Sequence, residues 1–542
     1  MAARPRIVRA VEDRDEPDDF LPVEDAGLDG ETGFDEASYL RAFPDIAEAV
    51  RRGTLESGLA HYRLAGRIEG RLDKPEYRAL LLAENTAPAP QVAVDTLTIS
   101  ESGATLLTGW SDDRRDALTE VDLETRPGAT HNWISVPRLN RADVERTLDT
   151  SARHKFGFLL VAAPVGGKDA RKIDPRAVNA PVFRFASGRD TRLHRAPAVA
   201  SDTDLRDLAL ATLPTAAADE PDPDAIYNIL DRHVGVQIAA INRLIVDRER
   251  TRRLVSRTGP DRASFRGSIV TVARGDATGL VPRLALMASG ASAREYEFIV
   301  VVTDAGQFEA ASRAARVANA TLGLSLTMVL QPGGDPAGFG EDSAADIARS
   351  DRLIFMDQNI VPRDPDWTAQ HTALLDSAPM NQTRLFGGVL FSPDGTASHR
   401  GYGFERVRSL LTDPAELPFE WETIRLRRLT SPASRALPAP AQAMGVPGAF
   451  MSVDRRWFET LGGFSRHYAR AAFDDIDFCL RSQQQGFPAW VHPLPMWHFE
   501  RRGPQRPEAS KGGAILNDWL FHRQWHESIR ASLADSKPVG VV

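Results

Sequence analysis

A chain of 542 residues exceeds what one hydrophobic core of ordinary size organises, so several domains are expected, one of them large enough for an enzyme. Hydrophobic residues at 42% and charged residues at 26% exclude wholesale disorder, and a net charge of −8 excludes a general attraction to nucleic acid or anionic lipid. The single cysteine, Cys479, excludes an intrachain disulfide and fits a reducing compartment; with no run of about 18 apolar residues and no signal-peptide core, the sequence reads as cytoplasmic with no transmembrane segment.

Residues 1–33 are rich in Asp, Glu, Gly and Pro with few large apolar groups, the composition of a disordered acidic tail. Over residues 34–85, Tyr39, Leu40, Phe43, Ile46, Val50, Leu59 and Tyr62 recur at roughly helical spacing and are interrupted by Pro44 and Gly53, which predicts a small module of short helices. His61 reads as a packed core histidine. The stretch Tyr39 to Ile46, with His61-Tyr62 and Gly66 to Arg71, resembles a helical module found beside bacterial glycosyltransferase domains, which implies a docking or spacing role toward protein partners.

Residues 93–190 are strand-rich: Thr96 to Ile99, Thr105 to Trp110, Val121 to Thr125 and Phe156 to Val161 are separated by turn formers, predicting a β-sandwich-like domain. Trp110 and Trp133 are read as core residues in preference to a sugar-stacking face. Residues 200–260 are expected to form a helical connector, because Ile226, Ile229, Leu230, Val234, Ile238, Ile241, Leu244 and Ile245 follow a helical period.

From residue 266 the texture alternates between strand and helix. Ile269 to Val272, Phe298 to Val302, Leu324 to Leu330 and Leu353 to Met356 read as buried strands, with helices over Leu280 to Ala288, 308–320 and about Asp342 to Ala348 between them. Such βαβ repeats predict an α/β domain with a largely parallel sheet flanked by helices, whose ligands bind at the carboxyl ends of the strands. The domain is placed at 266–530, followed by a flexible tail over 531–542.

Polar residues gather at those carboxyl ends. Asp304 and Gly306 follow the second strand, where a nucleotide base and ribose would be gripped, although Asp and Gly are also ordinary turn residues. The fourth strand delivers Asp357 and Asn359 two residues apart, so that both oxygen-bearing side chains can face one side and hold a hard divalent cation, Mn or Mg, bridging a diphosphate. A turn is the competing reading of that triplet. Val446 to Val453 reads as a strand, with Asp454 capping the helix Arg455 to Leu461. Next, Asp474, Asp475 and Asp477 crowd the start of a further helix. The helix dipole explains one or two of them; adjacent carboxylates also raise one another's pKa toward the range of a general base able to deprotonate a sugar hydroxyl. After a late strand, His498 is a candidate third metal ligand, with Glu500 behind it.

The order of these parts resembles family 2 glycosyltransferases of the GT-A fold over about half the chain: the Asp-containing turn, the Asp-x-Asp-like triplet, the Gly-Ala-Phe-Met strand running to the Gly-Gly-Phe turn at Gly462 to Phe464, the acidic pair before Asp-x-Cys-Leu-Arg, and the late His-x-Glu. The resemblance implies that Asp304 contacts the nucleotide base, Asp357 and Asn359 bind metal and donor diphosphate, and Asp474 with Asp475 supply the base of an inverting transfer, Asp475 being the base itself. It further implies that His498 lies near the metal, that the donor is a nucleotide-diphosphate sugar, and that the acceptor is a saccharide or surface-glycan precursor of polysaccharide biosynthesis. The chain departs from the family at Ala305, at Ala273 where a proline is expected, in the segment Gly338 to Asp346, and at Asn359, where an amide replaces a carboxylate and removes a charge. Ala305 and Asn359 motivate the alternative of a catalytically degenerate domain that binds a nucleotide sugar or glycan without turning it over. No Gly-x-Gly-x-x-Gly, Gly-x-x-x-x-Gly-Lys-Ser/Thr or His-Glu-x-x-His pattern supports a dehydrogenase, kinase-like or zinc-hydrolase reading.

Overall fold

The computed structural model describes residues 34, 36–63, 90–125, 129–148, 154–164, 180–193, 196–218, 223–249, 252–273, 279–331, 338–411, 419–430, 439–470, 473–499 and 508–535. The acidic tail, Gly66 to Arg71, Glu500 and residues 536–542 lie outside them. The chain divides into two units: Arg206–Pro214 and the residues from Ala239 onward form one, and the described residues up to Leu205, with Thr215–Ile238, belong to the other.

In that other unit, the short helices Glu36–Ala42, Pro44–Arg51 and Gly58–His61 are pinned by side chains at their ends. Ser57 accepts the Ala60 N–H, and Glu36 accepts those of Gly58 and Leu59. His61 is buried against the Tyr39 hydroxyl, 3.1 Å from its Nδ1, in the packed role expected of it. The strands of residues 91–200 form a five-stranded and a four-stranded sheet. Leu97, Ile99, Leu107 and Phe158 from the first pack with Val121, Leu123, Phe183 and Phe185 from the second. Trp133 packs on this core and donates its indole N–H to the Val161 carbonyl, so its ring is structural.

The larger unit is built on an eleven-stranded sheet. Its strands in chain order are β1 (Leu254–Thr258), β2 (Ser268–Ala273), β3 (Glu297–Val302), β4 (Ser325–Leu330), β5 (Arg352–Met356), β6 (Ile360–Pro362), β7 (Leu385–Phe391), β8 (Ala397–His399), then β11 (Ala441–Ala443), β12 (Phe450–Asp454) and β13 (Ala489–His498), with β9 (Tyr402–Leu411) and β10 (Phe419–Arg428) pairing as a separate hairpin. The spatial order is β1-β4-β3-β2-β5-β12-β7-β13-β6, with β8 on β7 and β11 on β13. Strands β4, β3, β2 and β5 are parallel, joined by α1 (Leu280–Met287), α2 (Ala305–Leu322) and α3 (Phe339–Ala345). Strand order reverses beside β2, between β3 and β5, which is where such sheets open a crevice for a ligand.

The remainder departs from the expected largely parallel sheet. β5, β7 and β13 each take antiparallel partners, in β12, β12 and β6, and β7∥β13 is the one parallel pair beyond β5. The sheet is therefore mixed. Helices still join its second half, α4 (Trp367–Ser377) between β6 and β7 and α5 (Arg455–Thr460) between β12 and β13, although antiparallel neighbours need no long crossover.

Strands β2, β3 and β4 are buried on both faces, which is why they read as continuous apolar runs rather than alternating ones. Ile269, Phe298, Val300, Leu326 and Met328 point to one side, where Ala311, Ala315 and Ala318 of α2 cover them. Val270, Val272, Ile299, Val301 and Val329 point to the other, against Ala344, Ala345, Phe458, Phe464, Phe478 and Cys479. The one carboxylate inside this layer, Glu297, sits at the amino end of β3 and accepts from Ser268, Thr327 and Arg349. A buried charge is tolerable when so fully paired. The carboxyl ends carry the candidate site.

Two elements differ from their sequence reading. β12 starts at Phe450, not Val446, because Pro447 has no N–H for a ladder and its carbonyl instead accepts the Phe450 N–H in a turn. The last helix, α7 (Glu508–Asp535), runs past residue 530 into the stretch expected as a tail.

Candidate active site

The site is assembled around the carboxyl end of β5. There the backbone N–H of Asp357 donates to the Ala449 carbonyl at 2.8 Å. Asp357 Oδ1 accepts the Asn359 N–H at 2.7 Å, and its carbonyl accepts the Ile360 N–H at 3.0 Å. Asp357 and Asn359 thus occupy an Asx turn and not an extended strand, so the turn reading of the triplet holds whatever ligand the residues bind. The turn feeds β6, whose Ile360 pairs with His498 of β13, while the Phe499 N–H donates to the Asn359 carbonyl at 2.9 Å. In this ladder Ile360 stands opposite His498 and Asn359 opposite Phe499, so Asn359 and His498 hold alternate positions of the two paired segments.

Asp474 and Asp475 open α6 (Asp474–Gln484) directly after Phe473, which holds a left-handed backbone at φ 71°. A bulky residue there is strained, and such strain persists where the surroundings over-determine it. Phe473 is fixed by its ring, 4.9 Å from that of Phe521 on α7. Asp475 Oδ2 accepts the Gly448 N–H at 2.9 Å and the Tyr402 hydroxyl at 3.3 Å, and Oδ1 accepts the Ile476 N–H at 2.8 Å. Burial raises the Asp475 pKa, and these three donors, with the residue's own backbone N–H, oppose the rise without cancelling it. The direction is the one expected of a general base, but desolvation rather than repulsion between neighbouring carboxylates is its leading cause.

Asp477 does different work. Fully buried, it accepts from Arg481 at 2.8 Å, from the Trp525 indole at 2.8 Å and from Gln524 at 3.1 Å. Arg481 also donates to the carbonyls of Leu461 and Gly463, so Asp477 ties α6 to α7 and to the Gly-Gly-Phe turn. The third acidic residue is thereby explained structurally.

The segment before the acidic pair is braced by buried polar groups that sequence periodicity conceals. Arg206 and Asn242, both fully buried, are joined at 2.9 Å, and Asn242 donates to the carbonyls of Arg466 and Tyr468. Asn517 of α7 both accepts from and donates to the backbone of Ala469. Arg470 pairs with Asp207. An unexpected Asn or Arg inside an otherwise apolar helical stripe was the available signal for this brace.

Asp304 stands at the carboxyl end of β3, in the same row of strand ends. It caps α2 by accepting the Gly306 N–H at 2.8 Å and is exposed. Tyr402 and His399 were not singled out from the sequence, since neither belongs to a spaced pattern. Tyr402 packs edge-on to His399, ring centroids 4.5 Å apart, and the Gly401 N–H donates to His399 Nδ1. Burial, reinforced by Arg428 and His498 nearby, lowers the His399 pKa to about 3, so the ring is neutral. A hollow of about 280 Å³ lined by His467, Tyr468, Leu520, Arg523 and Gln524 contains none of these candidate residues.

A divalent cation is implied by the resemblance. Among the described residues, no three His, Cys, Asp or Glu side chains converge as a metal cluster. The candidate donors are one carboxylate and one amide oxygen in a single Asx turn, from Asp357 and Asn359, and the imidazole of His498 at the end of β13. Hard oxygen donors of this kind suit a cation whose remaining positions are filled by substrate phosphates and water, so the residues fit the group. Glu500 lies outside the described residues.

No family profile and no curated protein sequence matches the chain. Solved structures that align with part of the chain include the mannosyltransferase PcManGT from Pyrobaculum calidifontis in complex with GDP-Man and Mn2+, at 12% identity and a TM-score of 0.30 over 61% of this chain and 88% of that one. GalNAc-T7 with UDP, GalNAc and Mn2+ aligns at 14% identity and a TM-score of 0.31, over 52% of this chain and 53% of its own. A mycobacterial protein aligns at 12% identity and 0.29, over 48% and 75%. Among the described residues, no helix is long and apolar enough to cross a membrane.

Proposed function

We propose that residues 266–530 form a glycosyltransferase that moves a sugar from a nucleotide-diphosphate donor to a saccharide hydroxyl with inversion. One observation carries the reading: the dipeptide Gly448-Ala449 binds Asp475 through one residue and Asp357 through the next. A carboxylate suited to deprotonation and an oxygen-ligand turn suited to a diphosphate are thereby held a residue apart, at the strand ends where such sheets bind ligands.

Asp357, Asn359 and His498 are the residues that would hold the cation, which would supply positive charge against the donor diphosphate. Asp475 takes the proton of the acceptor hydroxyl. The acceptor oxygen attacks the anomeric carbon from the face opposite the leaving group, and the anomeric C–O bond breaks with its electron pair passing to the nucleoside diphosphate. The proton is left on Asp475 and returns to solvent. Asp304 is the candidate contact to the nucleotide base.

The test is release of nucleoside diphosphate from UDP-, GDP- and dTDP-sugars with Mn2+ or Mg2+ and a panel of saccharide acceptors. Turnover that falls by roughly 10²- to 10⁴-fold in Asp475→Asn supports the reading. Nucleotide-sugar binding by the wild type without turnover of any donor would favour the degenerate binding domain, and equal rates in both proteins would refute the base assignment.

A further inference from the structure

The β9–β10 hairpin pairs with itself, yet it delivers one hydroxyl to the acidic helix. Tyr402 is its first residue, anchored by its own N–H to the Gly445 carbonyl at 2.7 Å, and its hydroxyl reaches Asp475 Oδ2 at 3.3 Å. The ring's direction is set by His399, edge-on at 4.5 Å, whose Nδ1 is in turn fixed by the Gly401 N–H. Because Nδ1 accepts, the neutral imidazole carries its proton on Nε2, a buried nitrogen with no hydrogen-bond partner among the described residues. His399 is 4% exposed and Tyr402 is half-buried, so the buried ring backs the phenol beside the carboxylate.

A carboxylate oxygen has two lone pairs in its plane. Oδ2 spends both, one on the Gly448 N–H and one on Tyr402. Among the described residues, Oδ1 spends one, on the Ile476 N–H. We infer that Tyr402 is the positioning residue of Asp475: by filling the second lone pair of Oδ2 it leaves Oδ1 as the oxygen that receives the acceptor's proton, and so fixes the side from which the acceptor hydroxyl arrives. This deepens the transferase reading and rests on it for the word acceptor, but the hydrogen-bond arrangement can be tested without substrate.

The titratable and charged groups facing Asp475 are Asp474 and Cys479 of its own helix and Tyr402 of the hairpin, and Arg428 on β10 faces Tyr402. Burial holds the Tyr402 phenol well above its ordinary value, so it stays a donor across the working range. A donor stabilises the ionised carboxylate, and removing it therefore moves the Asp475 midpoint upward.

The experiment is a ¹³C titration of the full-length chain labelled at aspartate Cγ, with the Asp475 signal identified by its loss in Asp475→Asn. In Tyr402→Phe, which keeps the ring against His399, the midpoint is expected to rise by about one pH unit, the size of one hydrogen bond to a charged group. Should that variant fail to fold, 3-fluorotyrosine at position 402 is a stronger donor and is expected to lower the midpoint. A folded Tyr402→Phe with an unchanged midpoint, or a 3-fluorotyrosine protein with an unchanged one, overturns the inference. A transferase that turns over donors with an unmoved midpoint sinks this inference alone; a moved midpoint in a protein that turns over no donor sinks the transferase reading alone.

Discussion

Gly448 donates its backbone N–H to Asp475 at 2.9 Å, and there is almost no spare room around that contact: a Cβ on Gly448 would stand 3.3 Å from the Asp475 Cβ. Gly448→Ala must therefore push the carboxylate by a few tenths of an ångström while keeping the N–H. Transfer rates are expected to drop by roughly tenfold with the melting temperature nearly unchanged, since small misplacements of reacting groups are costly. Steady-state kinetics beside a thermal melt checks this, and an unchanged rate would show that Asp475 is not held to a fixed position.

The acid limb of the pH–rate profile should lie above the ordinary aspartate value of 3.8, because burial raises Asp475. The base must be ionised, so activity falls as pH drops through that raised midpoint. For stability the sign is opposite: a raised folded pKa contributes stability fully present below 3.8, and that contribution is lost as pH rises through the folded value. A pH profile of kcat/KM measures the first effect, and a limb at or below 3.8 would contradict it.

Asp477 and Asp475 are two residues apart and should fail differently. Asp477→Ala strands Arg481 and the Trp525 indole in the interior and is expected to cost about 3–5 kcal/mol, read as a lower urea midpoint. Asp475→Asn should leave the fold intact while removing transfer. Equal stability losses in the two variants would mean that both carboxylates are structural.

These outcomes also mark what was legible from sequence. The parallel strands β2 to β5 were readable because burial on both faces makes them unbroken apolar runs, and Asp454 was readable as a cap, its Oδ1 accepting the Trp457 N–H at 2.9 Å. Asp357 and Asn359 were picked out because they follow a strand and His498 because it ends one, and the β6–β13 ladder places Ile360 opposite His498. Long-range antiparallel pairing left no local trace, so the mixed half of the sheet was missed. Tyr402 was missed for the same reason: its partner lies 73 positions away, and nothing near it in sequence marks it.

The brace around Asn242 gives a further prediction. Asn242→Ala removes two hydrogen bonds to the backbone of Arg466 and Tyr468 and one to buried Arg206, and is expected to destabilise by about 2–4 kcal/mol. Because residues 466–470 lead to the strained Phe473, hydrogen exchange should quicken there before it does in β2 to β5. Unaltered exchange over 466–470 would remove Asn242 from any role in shaping the acidic helix start.

The claim on which the rest depends is that Asp357, Asn359 and His498 hold a donor diphosphate through a cation, within reach of Asp475. Crystals of the full-length chain grown with UDP or GDP and Mn2+, measured at a wavelength where manganese scatters anomalously, address it directly. One anomalous peak in contact with Asp357 is expected, with the nucleotide's phosphates on its far side. A nucleotide bound with no peak at Asp357, or bound away from the ends of β3 and β5, would contradict it.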